Sequence, residues 1–180
     1  MPTEGSADDD EPTADGETPR VLLDVMCGKL ATYLRMCGYD AAYALDRGIE
    51  DDDRLLSLAA DEERTLITRD RELAARAADA VLLTERDVLD QLRELAAAGY
   101  PVALADEPTR CGACNGRVER VDSEGRDDEV DSEGGDDGDD ADPPEYVPND
   151  RRPAWRCRDC GRWFWKGGHW ESVAERLAEV

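Results

Sequence analysis

The sequence predicts an α/β fold, a parallel sheet flanked by helices, with a small knuckled ribbon at its C-terminal end. Two patterns carry this expectation. From Arg20 to Gly99, short apolar runs alternate with amphipathic stretches, as in βαβ units joined by right-handed crossovers. Beyond Thr109 come two C-x-x-C pairs, Cys111 with Cys114 and Cys157 with Cys160, each with Gly close behind.

VLLDVM (21–26) is expected as a buried strand and KLATYLRMCG (29–38) as a helix closed by Gly38. AAYAL (41–45) makes a weaker strand. DDDRLLSLAADEE (51–63) opens with acids that suit a helix N-terminus and sets Leu55, Leu56 and Ala59 on one face. TLITRD (65–70) is a clear strand and RELAARAA a short helix. AVLLT (80–84) follows as a strand, then ERDVLDQLRELAAAG as a long helix ending at Gly99. ESVAERLAEV is the last helix. The expected division is an acidic disordered tail (1–19), the α/β domain (20–108), and the ribbon with its C-terminal helix (109–180). An acidic insert, 122–144, interrupts the ribbon and holds almost nothing that could enter a core.

Asp and Glu number 45 against 22 Lys and Arg, a formal net charge of −23, and the two Lys are Lys29 and Lys166. Such an excess repels nucleic acid at low salt, whereas at molar salt a Debye length of about 3 Å leaves surface charge little reach. The Asp-rich, Lys-poor composition is what a halophile's cytosol favours. With 40% hydrophobic residues in periodic segments, a wholly disordered acidic chain is excluded. No signal peptide is evident, and no run approaches the roughly 18 apolar residues of a membrane span. The expectation is a soluble cytoplasmic protein with no membrane partner, in which six Cys are thiols or metal ligands rather than disulfides.

Paired C-x-x-C knuckles supply the four soft, tetrahedral ligands of a structural zinc, so Cys111, Cys114, Cys157 and Cys160 are the expected Zn²⁺ ligands of a zinc ribbon. A redox pair would follow a strand inside a βαβ unit, and neither pair does. The 42 residues between the knuckles (115–156) exceed the usual loop by the acidic insert, and closure costs grow only slowly with length. Cys27 and Cys37 sit in apolar company and read as core thiols.

Two strand runs end in an acid, Asp24 and Asp70. In open α/β sheets the functional crevice lies beyond the carboxyl ends of the strands, so adjacent parallel strands would bring these two acids to one crevice. The loop entering the second helix adds Asp51, Asp52 and Asp53, of which Asp52 is the one assigned to the site; Asp46, Glu85 and Asp87 are rim acids. Carboxylates gathered at a strand edge repel one another unless a cation intervenes, and hard oxygen ligands suit Mg²⁺ or Mn²⁺. Such ions activate water and steady the leaving oxygen in phosphodiester hydrolysis. Helix-start Asp residues also serve as caps, so part of this acidity is structural.

LLDVMCGKLATYLRMCGYD, DDDRLLSLA, LITRDREL, the two knuckles and WKGGHW together resemble the Mut-seven C-terminal ribonuclease domain family, over residues 20–114 and 145–172. The resemblance implies a PIN-like nuclease fold with an appended zinc ribbon. It implies a metal-dependent ribonuclease in which Asp24, Asp70 and an acid of the DDD stretch bind the catalytic Mg²⁺ or Mn²⁺. It also implies that Lys29 and Arg69 stand near the active edge and meet substrate phosphate.

In RWFWKGGHW, alternation puts Trp163 and Trp165 on one strand face and Phe164 on the other. These rings either dock a ribbon that lacks its own core or stack single-stranded RNA bases, with Arg162, Lys166 and His169 beside the phosphates. The function expected is hydrolysis of RNA phosphodiesters, with Asp24, Asp52 and Asp70 as catalytic acids and the ribbon assisting RNA binding. The alternative is a non-catalytic RNA- or ribosome-binding module. A receiver-like phosphoacceptor is disfavoured, because no Lys follows the last strand and VLLDV offers a single Asp.

Overall fold

The computed structural model describes residues 19–121, 144, 147 and 153–180. The expected acidic tail, but for Pro19, and the insert, but for Pro144, lie outside the described residues.

Four parallel strands form the main sheet: β1 (Arg20–Leu23), β2 (Asp40–Tyr43), β3 (Thr65–Thr68) and β4 (Ala80–Leu82), in the order β2-β1-β3-β4. The helices are α1 (Gly28–Met36), α2 (Asp52–Asp61), α3 (Arg71–Arg76) and α4 (Val88–Ala97). Both faces of this sheet are covered, which is why the central strands read as unbroken apolar runs. Val21, Leu23 and Ile67 pack among Leu30, Leu34, Leu92 and Leu95 of α1 and α4. Leu22 and Leu66 point the other way, onto Leu55, Ala59 and Leu73 of α2 and α3. The expected strands therefore all form, and β1 and β3 end before Asp24 and Asp70.

Three helices open on an aspartate cap. Asp51 accepts from the Arg54 amide (3.0 Å), Asp70 from Glu72 and Leu73 (2.8 and 3.0 Å), and Asp87 from Leu89 (2.9 Å). Each satisfies amides that the first turn leaves without an intrahelical partner. At the other end, Gly38 (φ 87°) and Gly99 (φ 90°) take the left-handed conformation that lets the chain leave α1 and α4.

The second sheet is antiparallel, β5 (Val118–Val121), β6 (Ala154–Cys157) and β7 (Trp163–Trp165), in that order. The last helix, α5, spans Gly168–Leu177 and so begins three residues before the expected segment, taking His169 and Trp170 into its first turn. Val173 and Leu177 of α5 join the core on the α1/α4 side of the main sheet. Arg176 there donates to the Tyr33 hydroxyl (3.1 Å) and Arg93 to the Glu179 carbonyl (3.1 Å). The ribbon thus continues into a helix that belongs to the first core.

Strand β2 lies at the sheet's edge, and side chains occupy its outward backbone groups. The Asn115 carboxamide oxygen accepts from the Ala41 amide (3.0 Å), and Arg35 Nε donates to the Ala41 carbonyl (2.9 Å). The buried Arg35 also donates to the Gly112 and Ala113 carbonyls of the first knuckle (3.1 Å each) and to Asp46 (2.8 Å). Asp46, expected at an acidic rim, is thus held in an ion pair. Replacing Arg35 by Met leaves buried carbonyls without donors and Asp46 without its cation. The expected loss is about 3 kcal/mol, read from the guanidinium unfolding midpoint.

Asp40, the first residue of β2, gathers Asn115 Nδ2 (2.7 Å), Arg64 (2.9 Å), Arg110 (3.4 Å) and Arg20 (3.6 Å). Burial works to raise its pKa, but hydrogen bonds from Arg64 and Asn115, with the charges of Arg64 and Arg110, hold it below the ordinary 3.8. A depressed carboxyl pKa stabilises the fold above the unfolded-state value and stops doing so as pH falls through the folded-state value. Asp40→Asn is therefore expected to destabilise the protein near neutrality by about 2 kcal/mol. The gap to the parent should close below pH 3.8, as measured by denaturant unfolding across a pH series.

Candidate functional site

The chain runs from β1 outward to β2 and then back across to β3, so the strand order reverses between β1 and β3. Beyond the carboxyl ends of strands at such a reversal is where α/β sheets bind ligands. Asp24 and Asp70 stand there. Asp24 is 5% exposed, a costly place for a carboxylate unless its oxygens are bonded. Its Oδ1 accepts from the Val25 amide (2.5 Å) and its Oδ2 from the hydroxyl of the fully buried Thr68 (2.9 Å). The same Thr68 oxygen accepts from the Asp70 amide (3.0 Å). One hydroxyl thus ties the acid after β1 to the backbone of the acid after β3. Asp70 is exposed, and its Oδ1 is committed to capping α3.

Arg69 lies between Thr68 and Asp70, half-buried, with a buried Nε that has no hydrogen-bond partner. Lys29, the second residue of α1, is exposed and makes no ion pair among the described residues. Cys27, also at this edge, is buried; burial first, and then the charge of Asp24, push its thiol up to about 12 against the lowering effect of Arg69. It is a neutral core thiol. Cys37, half-buried, is likewise pushed up to about 11 by burial.

The other expected acids are placed differently. Asp52 is exposed at the start of α2, 4.0 Å from Arg76, and Asp53 is paired with the same guanidinium. Asp51 and Asp87 are helix caps. Glu94, which the sequence did not single out, reaches from α4 to accept from the Thr84 amide (3.0 Å) and the Glu85 amide (3.2 Å). Burial raises its pKa, but the Thr84 hydroxyl, these amides and the charge of Arg69 outweigh that and lower it. Among the described residues, the ligand atoms of Asp24, Asp52 and Asp70 do not form a group within 4.8 Å of one another.

The four knuckle cysteines do form one, with all four sulfurs within 4.8 Å. Cys111 and Cys160 Sγ are 3.7 Å apart, and Cys114 and Cys157 Sγ 3.5 Å. A tetrahedron with Zn–S bonds of about 2.3 Å needs sulfur separations of about 3.8 Å, so the donor set fits zinc in kind and in size. Burial raises the Cys111 pKa, opposed by hydrogen bonds from the Cys114 and Ala113 amides that favour the thiolate. Gly116 is required by space: a Cβ there would lie 2.9 Å from Cys157 Sγ.

Beside the knuckles, Phe164, Trp165, Trp170, His169 and Arg162 line a groove of about 360 Å³ whose far wall is Thr32 and Met36 of α1. These lie roughly 6 and 12 Å along α1 from its start at the carboxyl edge. His169 is exposed, while Lys166 donates to the Asp106 carbonyl and stands 5.8 Å from the Trp155 and Trp170 ring centres. Trp163 is buried against Ala154 and Val147, and Trp155 is almost wholly buried. The structure therefore joins Asp24, Thr68 and Asp70 at one edge and places Lys166 and His169 on a separate, aromatic face. Thr68, Arg35 and Asn115, like Glu94, were residues that sequence reasoning missed. A hydroxyl inside the apolar run TLIT, and a charge on the buried face of α1, were their faint signals.

No described helix is long and apolar enough to cross a membrane. Among curated proteins and among solved structures, no match to the chain is found. A family model described as the Mut7-C RNAse domain matches residues 19–177, spanning the Asp24–Asp70 edge and the four-cysteine ribbon together. On that match, the chain belongs to the Mut7-C RNAse domain family.

Proposed function

We propose that the protein is a metal-dependent ribonuclease that hydrolyses phosphodiester bonds of single-stranded RNA at the β1/β3 edge. The observation that carries this reading is the buried Asp24, bonded through Thr68 to the backbone of Asp70 at the point where strand order reverses. A carboxylate held there with unused lone pairs, beside a second with a free Oδ2, suits a hard cation. Asp24 and Asp70 would hold Mg²⁺ or Mn²⁺, with Asp52 as a third acid from the start of α2. When bound, the ion supplies Lewis-acid activation of water and charge neutralisation at the scissile phosphate. Thr68 fixes the Asp24 carboxylate, while Lys29 and Arg69 meet the phosphate oxygens. The ribbon is a structural zinc site whose aromatic groove receives an unstacked base, with His169 and Lys166 at its rim. Work in concentrated salt, in the cytoplasm, suits the acid-rich surface, since screening there lets RNA approach.

Labelled single-stranded RNA, incubated in molar KCl with Mg²⁺, with Mn²⁺ or with neither, tests the reading. Cleavage should require the added ion and vanish in an Asp24→Asn, Asp70→Asn double variant. Cleavage untouched by that variant would sink the assignment. Binding without cleavage by the parent protein would favour the non-catalytic RNA- or ribosome-binding module instead.

A further inference from the structure

A broad cleft lies away from the Asp24–Asp70 edge. It encloses about 700 Å³ at the N-terminal ends of β1 and β2 and the near face of β5, and four arginines line it: Arg20, Arg110, Arg117 and Arg120. Among the described residues only two carboxylates, Asp40 and Glu107, face them, in a chain whose acids outnumber its bases two to one. Asp40 is already shared by Arg20, Arg64 and Arg110, and Glu107 is paired with Arg120 (2.8 Å). Arg117 is exposed and its side chain has no ion pair among the described residues. Arg110 and Arg117 also face each other directly across an antiparallel bridge. Like charges so placed destabilise a strand pair unless an anion lies between them. Guanidinium forks match phosphate oxygens two at a time, which makes such a cleft selective for phosphate.

We infer that this cleft binds the phosphodiester backbone of the RNA substrate, as a second anchoring place remote from the site of cleavage. The inference rests on the ribonuclease reading for its substrate class. The cleft adjoins the aromatic groove, the two sharing Pro108 and Arg110, so one strand can lay phosphates on the arginines and a base among the rings. Arg20 and Asp24 are four residues apart along one extended run, roughly 13 Å, so only an RNA of several nucleotides reaches both places.

The test uses Arg117→Ala and Arg117→Glu, because this exposed side chain makes no ion pair among the described residues, so its removal should leave the fold alone. Affinity for a long single-stranded RNA, read by fluorescence anisotropy without Mg²⁺ or Mn²⁺ across a KCl series, should fall about tenfold in Arg117→Glu. The slope of log affinity on log salt should flatten by about 0.7, the value for one phosphate that the variant no longer neutralises. With Mn²⁺ present, kcat/KM should fall for the long RNA and stay unchanged for a trinucleotide. Unchanged affinity and slope in both variants would overturn the inference. So would variants that lose only the binding of inorganic pyrophosphate while holding RNA as before, since the cleft would then serve a small phosphate ligand. If the parent never cleaves RNA yet Arg117→Glu weakens its binding, the ribonuclease reading fails and the cleft stands.

Discussion

Asp24→Asn should lower RNA cleavage about a thousandfold or more, the largest loss expected of any single substitution at the carboxyl edge. Asparagine keeps the shape: its one carbonyl oxygen can accept from the Val25 amide while its NH2 turns to the Thr68 hydroxyl oxygen, so the variant removes the charge and reverses one hydrogen bond. Because the carboxylate is almost fully buried, its loss should leave the melting temperature unchanged or raise it. That pairing of dead chemistry with intact stability separates a working acid from a structural one. Asp70→Asn follows with a smaller loss, because Asn is as good a helix cap as Asp and the fold is spared. Asp52→Asn should cost least, since this acid is exposed and stands beside Arg76. Initial rates on one labelled RNA, with melting curves for each variant, give the ranking; a ranking led by Asp52 would refute the placement of the ion between β1 and β3.

Removing zinc has the largest expected effect on stability. A structural four-cysteine site contributes on the order of 10 kcal/mol of binding free energy, most of it unavailable to an unfolded ribbon. One zinc per chain is expected, lost when Cys111 and Cys157 are changed to Ser. Trp155 and Trp163, buried in or beside the ribbon, should then shift their fluorescence to the red. The damage should spread, because α5 follows β7 directly and places Val173 and Leu177 in the core of the main sheet. Metal content and tryptophan emission, followed during chelator titration, check this; full zinc content in the double Ser variant would refute the ribbon.

Much of the fold was legible because its causes are local. Apolar runs with Asp or Gly at their ends announce buried strands and capped helices, and the spacing within each knuckle announces a tetrahedral site. Asp24 and Asp70 were legible for a related reason, since an acid that ends an apolar run falls at the carboxyl edge of a parallel sheet. What stayed hidden depends on contacts between distant segments. Thr68 looks like an ordinary strand residue until β1 and β3 are neighbours. Arg35 is an unexplained charge on the buried face of α1 until the first knuckle, far along the chain, brings carbonyls to it. Asp51, Asp52 and Asp53 are equivalent in sequence, and only the turn into α2 makes the first a cap and leaves the others facing Arg76. The start of α5 at Gly168 was hidden by two glycines, of which Gly167 is the extended cap and Gly168 a poor helix former in the first turn.

Asn115 and Arg35 give the zinc ribbon a protective role for the other sheet. A bare edge strand is a template on which a second chain can add its own strand, and β2 carries no bulge or proline to prevent that. Its outward amide and carbonyl at Ala41 are engaged because the first knuckle is folded and pressed against α1. Metal starvation would therefore expose an adhesive edge as well as loosen a small domain. Zinc supply is thus expected to bear on solubility during folding, independently of any part the ribbon plays with RNA.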